Sequence, residues 1–172
     1  MNYFELFDIP VSLLPDKNLV RKRYMELSKQ HHPDYFVNKT QDDQQNALEM
    51  SALLNKAFRT FSNTDATIAY VLEIKGLLEE EEKYALPPAF LMQMMEVNEE
   101  LADAQMEGDP AMIAKVRQQL LELEKELYEP VKDIIEDYQE GVTSEEELLQ
   151  VKAYYFKKKY LARLSQQLGR ML

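Results

Sequence analysis

The chain has no cysteine among its 172 residues. That excludes a disulfide framework, a thiol nucleophile and any metal or cluster held by thiolates of its own. No apolar run approaches the ~20 residues a membrane-spanning helix needs. Periodic structure starts at Met1 with no signal-like or transit-like segment ahead of it. Together these predict a soluble, cytoplasmic protein of bacterial type, without membrane contact. Only four glycines are present, and none sits in a loop built to cradle phosphate. No segment alternates apolar and polar residues as a half-buried strand would, there is no internal repeat, and Glu79 through Glu82 is the only low-complexity tract. What is left is an all-α chain.

Charge of one sign is scarce in the second half. Through Lys75 there are nine Lys and Arg against ten Asp and Glu, whereas from Gly76 onward there are eleven against twenty-one. Most of the net charge of −11 therefore belongs to the second half, whose acidic surface repels phosphate backbones and argues against nucleic-acid binding. Such a surface suits a basic partner, although ordinary solvation accounts for most of these charges.

What the chain does have is His32-Pro33-Asp34, set between two amphipathic patterns. Leading in, residues 16 to 31 carry Val20, Tyr24 and Leu27 on one face, with Arg21, Lys22, Arg23 and Lys29 around them. Pro33 disfavours helical geometry at His32, so the helix stops there. Thr40, with Asp43 three residues on, starts a second helix whose stripe is Ala47, Ser51, Leu54, Phe58 and Phe61. The two form a helical hairpin that puts its loop on display. His31, His32 and Asp34 lack a third well-spaced ligand for a metal site. The His-Asp pair has no nucleophile motif beside it, so no catalytic residue is expected.

Further along, Gly76 closes a helix begun near Thr64, and a charged connector runs to Pro87-Pro88. Three helices follow. Asp109 and Pro110 provide an N-cap and a first helical residue, and Ser144 with Glu147 forms a capping box. The middle helix carries Ile113, Val116, Leu120, Leu123, Leu127, Val131, Ile134 and Tyr138 near a 3.5-residue seam. Pro130 interrupts it and predicts a kink with the seam in register on both sides. On the first helix of the three, Phe90, Met94, Val97, Leu101 and Ala104 form a core face. Leu91, Met95 and Ala102 make a second apolar strip, with Met92 beside it and Glu96, Glu99 and Asp103 at its rim. That strip either packs inside the protein or is a binding surface of the adaptable kind methionine favours. The last helix buries Val151, Tyr154, Leu161, Leu164 and Leu168 on one face, which leaves Phe156 on the opposite side and predicts it to be exposed.

The first half resembles a J domain, the module that stimulates chaperone ATPases of the DnaK type. The residues that carry the likeness are Tyr3-Phe4 and Leu6-Phe7, Arg21-Lys22 with Tyr24 and Leu27, His32-Pro33-Asp34, and Leu54-Asn55 with Ala57-Phe58. Within J proteins, Asn2-Tyr3-Phe4 and Ala69-Tyr70-Val71-Leu72 look like the HscB family, the co-chaperones of iron–sulfur cluster biogenesis. The likeness covers nearly the whole chain. It implies a J domain over 1–75, a linker over 76–87 and an antiparallel three-helix, client-binding bundle over 88–172, with no cofactor, no metal and no catalysis. It further implies that His32, Pro33, Asp34, Arg21 and Lys22 meet an HscA/DnaK-type chaperone ATPase. Leu91, Met92, Met95, Glu96, Glu99, Asp103 and Phe156 would hold an IscU-type iron–sulfur scaffold. The alternatives are a J protein serving another client and a non-enzymatic helical adaptor. Met25, Glu26 and Thr67 stand where many J domains are basic, and so predict a less cationic ATPase face.

Overall fold

The computed structural model describes residues 1–170; residues 171–172 of the expected bundle lie outside them. Among the described residues all regular structure is helical. The Cα positions divide into two compact units, Met1–Leu77 with Ile135–Thr143, and Leu78–Ile134 with the segment from Ser144 onward.

In the first unit α1 (Tyr3–Phe7) is only five residues long, too short to persist alone. Two things hold it. Asn2 and Glu5 cap each other's backbone N–H groups at 2.9 and 3.1 Å, and the rings of Phe4 and Phe7 are buried against Phe61 at centroid distances of 5.0 and 5.3 Å. Tyr3 stacks on Tyr70 at 4.4 Å, and its N–H donates to the Tyr70 hydroxyl. Burial pushes the Tyr70 phenol above its ordinary range.

Helices α2 (Lys17–Gln30) and α3 (Gln41–Phe61) are the expected hairpin. Asp16 accepts from the N–H groups of Asn18 and Leu19. Thr40 accepts from that of Asp43. Val20, Ala47, Leu54 and Phe61 are buried, as is Ala57, which the stripe omitted. Tyr24 stacks on Phe58 at 4.2 Å and donates to Asn55 Oδ1 at 2.5 Å, closing the rim of the seam. Helix α4 (Thr64–Ile74) starts at an Asn63 cap and ends before Gly76, whose φ of +73° is easy for glycine.

Residues 135–143 fall in this unit, whereas the sequence assigned them to the bundle. Ile135 is buried, Glu140 forms an ion pair with Lys75, and Tyr138 donates to Glu140 Oε2 at 2.6 Å. Burial and then the Glu140 hydrogen bond push the Tyr138 phenol well above its usual value.

The second unit is built from α5 (Pro88–Glu107), α6 (Pro110–Tyr128) and α8 (Glu145–Arg170). All five predicted core residues of α5 and all five of α8 are buried. Asp109 caps α6, and Ser144 and Glu147 cap each other, as read from the sequence. Pro130 does more than bend the middle helix. A three-residue 3-10 turn, Glu129–Val131, separates α6 from α7 (Lys132–Glu136). Tyr128, Glu129 and Lys132 keep right-handed helical dihedrals. The ladder therefore tightens around the missing N–H without unwinding. The expected seam does not run on: Ile134, the last residue of this segment of the unit, is only half-buried, and the fully buried Ile135 belongs to the first unit.

The Lys75 and Tyr138 hydrogen bonds, in that order, hold the Glu140 carboxyl below its ordinary 4.5. Because the folded value is lowered, the stabilisation is complete above that ordinary value and disappears as pH falls through the folded one. Glu140→Gln should therefore be less stable than the parent at neutral pH, by ~0.5 kcal/mol for so exposed a pair. Urea melts of both proteins should converge as the pH is lowered through the titration of the folded Glu140 carboxyl.

Candidate functional site

Two exposed surfaces stand out, one on each unit. The first is the loop after α2. His31 ends that helix, its N–H bonded to the Leu27 carbonyl at 3.1 Å. His32 then turns to extended backbone (φ −64°, ψ 130°), and Pro33 opens a 3-10 turn, Pro33–Phe36. His32 Nδ1 accepts from the Asp34 N–H at 3.2 Å and lies 3.6 Å from Asp34 Oδ2. An accepting Nδ1 puts the neutral ring's proton on Nε2, which is bonded to nothing among the described residues. The loop is anchored on α3: Ser51 Oγ donates to the His31 carbonyl at 3.3 Å, and Gln44 Nε2 donates to the carbonyls of Val37 and Lys39. His32 and Asp34 are exposed while both ends of their loop are tied down.

Arg21 and Lys22 project from α2 into solvent. Arg23 does not join them, because its guanidinium is tethered to Asp8 at 3.5 Å and Glu26 at 3.4 Å. Met25 is 63% exposed. Thr67 lies elsewhere. It is buried, and its hydroxyl serves the carbonyls of Thr60 and Asn63 at 2.8 and 2.9 Å. The reduced charge on this face comes from Met25 and Glu26, and the expectation for Thr67 is corrected.

The second surface is on α5. Leu91, Met92 and Met95 are 39%, 66% and 62% exposed, while Phe90 and Met94 on the same helix are buried. Glu96, Glu99 and Asp103 are exposed along the same helix. Phe156 differs from expectation. It is half-buried, because Tyr84 lies flat on it at a centroid distance of 4.5 Å and 2° between planes. Tyr155 meets its edge at 5.2 Å. The connector supplies this cover. Leu78 is buried, Glu82 pairs with Lys152 at 2.7 Å, and Leu86 packs on the bundle core. The Lys152 hydrogen bond, the largest influence, holds the Glu82 carboxyl below its ordinary range. Phe90 links the two parts of the surface: its ring is 6.1 Å from Tyr160 on α8 and lies under the Lys157 ammonium.

Sequence reasoning missed Tyr84 and the basic side chains Lys159 and Arg163, which line a cleft of about 220 Å³ with Phe156. An aromatic residue inside an acidic connector was the one local signal for Tyr84. Lys159, Tyr160 and Arg163 follow Phe156 at helical spacing, three, four and seven residues on.

Residues 86–169 match the family described as the HSCB C-terminal oligomerisation domain. A co-chaperone protein HscB homolog of Shewanella woodyi is 31% identical over 99% of this chain and 97% of its own length. One of Shewanella halifaxensis is 32% identical over the same shares. Among solved structures, the chaperone HscB from Vibrio cholerae superposes with a TM-score of 0.77 at 26% identity, covering 99% of this chain and 96% of its own.

The two faces of α5 predict opposite responses. Phe90→Ala removes a buried ring and should cost ~3–5 kcal/mol, whereas Met92→Ala and Met95→Ala should change stability by only ~0.5 kcal/mol. Chemical denaturation of the three variants checks the assignment. A parent-like Phe90→Ala would reverse the faces.

Proposed function

The chain belongs to the HscB family, co-chaperones of iron–sulfur cluster biogenesis, and we propose that it delivers an IscU-type scaffold to an HscA/DnaK-type chaperone and stimulates that chaperone's ATPase. On this reading it is a cytoplasmic adaptor without catalysis of its own. The observation that carries the proposal is the His32-Pro33-Asp34 loop, exposed yet fastened to α3 through Ser51 and Gln44. An exposed, preorganised turn loses little conformational freedom on binding. Arg21 and Lys22 would add cationic contact to an acidic ATPase surface. They should act more on association rate than on final affinity.

The scaffold would sit on Leu91, Met92 and Met95, with Glu96, Glu99 and Asp103 as the polar rim and Phe156 as the aromatic anchor on α8. Exposed methionines and a locked aromatic pair offer both adaptable and rigid contact area. Holding client and ATPase together couples the two binding events, an effect typically worth ~1–3 kcal/mol. The iron–sulfur cluster is the scaffold's cargo.

His32→Gln tests the first half of this reading. It should abolish stimulation of single-turnover ATP hydrolysis while shifting stability by at most ~1 kcal/mol, the cost of a lost cap. Undiminished stimulation would refute the assignment of the loop. The second half is tested by Leu91→Ala with Met92→Ala, all exposed positions. The double variant should lose about thirtyfold in scaffold affinity, the scale of a hot spot of ~2 kcal/mol, and keep its scaffold-independent ATPase stimulation. Phe156→Ala is a poorer probe, since it also breaks the stack with Tyr84.

A further inference from the structure

The second half of the chain is acidic in sum, yet α8 carries Lys152, Lys157, Lys158, Lys159, Arg163 and Arg170 and no carboxylate after Glu147, and one cleft beside it is cationic. It is lined by Lys83, Lys159 and Arg163 around the rings of Tyr84, Phe156 and Tyr160. Its one carboxylate, Glu82, is neutralised by Lys152 at 2.7 Å. Lys83, Lys159 and Arg163 have no carboxylate partner among the described residues, and Lys159 rests instead over the Tyr155 ring at 5.9 Å. Three such cations converging on one cleft without a carboxylate of their own present a local positive patch that an incoming anionic group can neutralise.

We infer that this cleft holds a carboxylate-rich segment of the client protein, its Asp and Glu side chains on Lys83, Lys159 and Arg163 and an apolar or aromatic residue against the Tyr84–Phe156 stack. The inference rests on the reading of the bundle as the client-binding unit. Three features favour a protein segment. The aromatic pair gives an anchor that a bare anion would not use. Arg163 offers the planar fork that matches a carboxylate. The cleft also lies next to the start of α5, since Leu86, two residues before that helix, lines it together with Tyr160, whose ring is 6.1 Å from that of Phe90. The acidic rim of α5 would repel the same segment, so the two charge signs fix the direction in which a client lies across the bundle.

The test uses the full chain and two probes, an IscU-type scaffold and a fluorescent peptide of about eight Asp and Glu residues with one central Phe. Lys159→Glu with Arg163→Glu, both exposed positions, should weaken both probes tenfold or more at about 50 mM salt and less at about 300 mM. Lys159→Arg, which keeps both the charge and the Arg163 fork, should bind like the parent. Parent-like scaffold binding by the charge-reversed variant at both salts would overturn the inference while leaving the client reading intact. If the parent itself does not bind the scaffold, the client reading fails and the peptide still decides the cleft. Peptide binding that is lost on charge reversal supports it, and no peptide binding ends it. Displacement of the peptide by equimolar single-stranded DNA would assign the cleft to phosphate and also overturn it.

Discussion

Burial of Phe90, Met94, Val97, Leu101 and Ala104 fixes the rotation of α5, and the character of the bundle surface depends on it. A helix side chain is placed by the turn of its own backbone. Once those five face the core, Leu91, Met92 and Met95 must face away from it. They cannot be buried by turning the helix without exposing a phenylalanine and a leucine, at ~1.5–3 kcal/mol for each large apolar side chain brought into water. The exposed apolar strip is therefore held in place by the stability of the core beneath it.

The same logic governs the loop in the first unit, with backbone chemistry as the constraint. Pro33 disfavours the helical conformation at His32, and the chain leaves α2 there with His32 in extended backbone. The Tyr24–Phe58 stack, the Tyr24–Asn55 hydrogen bond and the buried Val20 and Leu54 clamp the hairpin below. Ser51 and Gln44 then fasten the loop from α3. Arg23 is spent on holding α2 to Asp8, whereas Arg21 and Lys22 have no carboxylate partner among the described residues.

Charge is partitioned in the bundle as well. The exposed edge of α5 is acidic and the cleft on α8 is basic, with apolar and aromatic side chains in both. A surface of that kind selects a partner by pattern more than by net charge, because a uniformly basic or uniformly acidic client would be repelled at one end. The connector contributes directly: Tyr84 and Glu82 turn a stretch that reads as a charged linker into one wall of the cleft.

What the sequence determined by itself were the features whose causes act within a few residues. Pro33 ended a helix; Thr40, Asp109 and Ser144 capped the next ones; Gly76 closed another; and the 3.6-residue period selected the buried faces of α5 and α8. Each of these is a matter of local dihedrals or of side chains one turn apart. Tertiary structure decided the rest. The buried residue after Val131 became Ile135, because the chain there belongs to the first unit and not to the bundle. Phe156 was covered, because a tyrosine far away in sequence could lie flat on its ring. Residues 135–143 joined the first unit through the ion pair of Lys75 with Glu140, 65 residues apart. Pairings across such separations leave no periodic trace, since either partner alone is an ordinary polar or aromatic residue until the fold sets the other beside it.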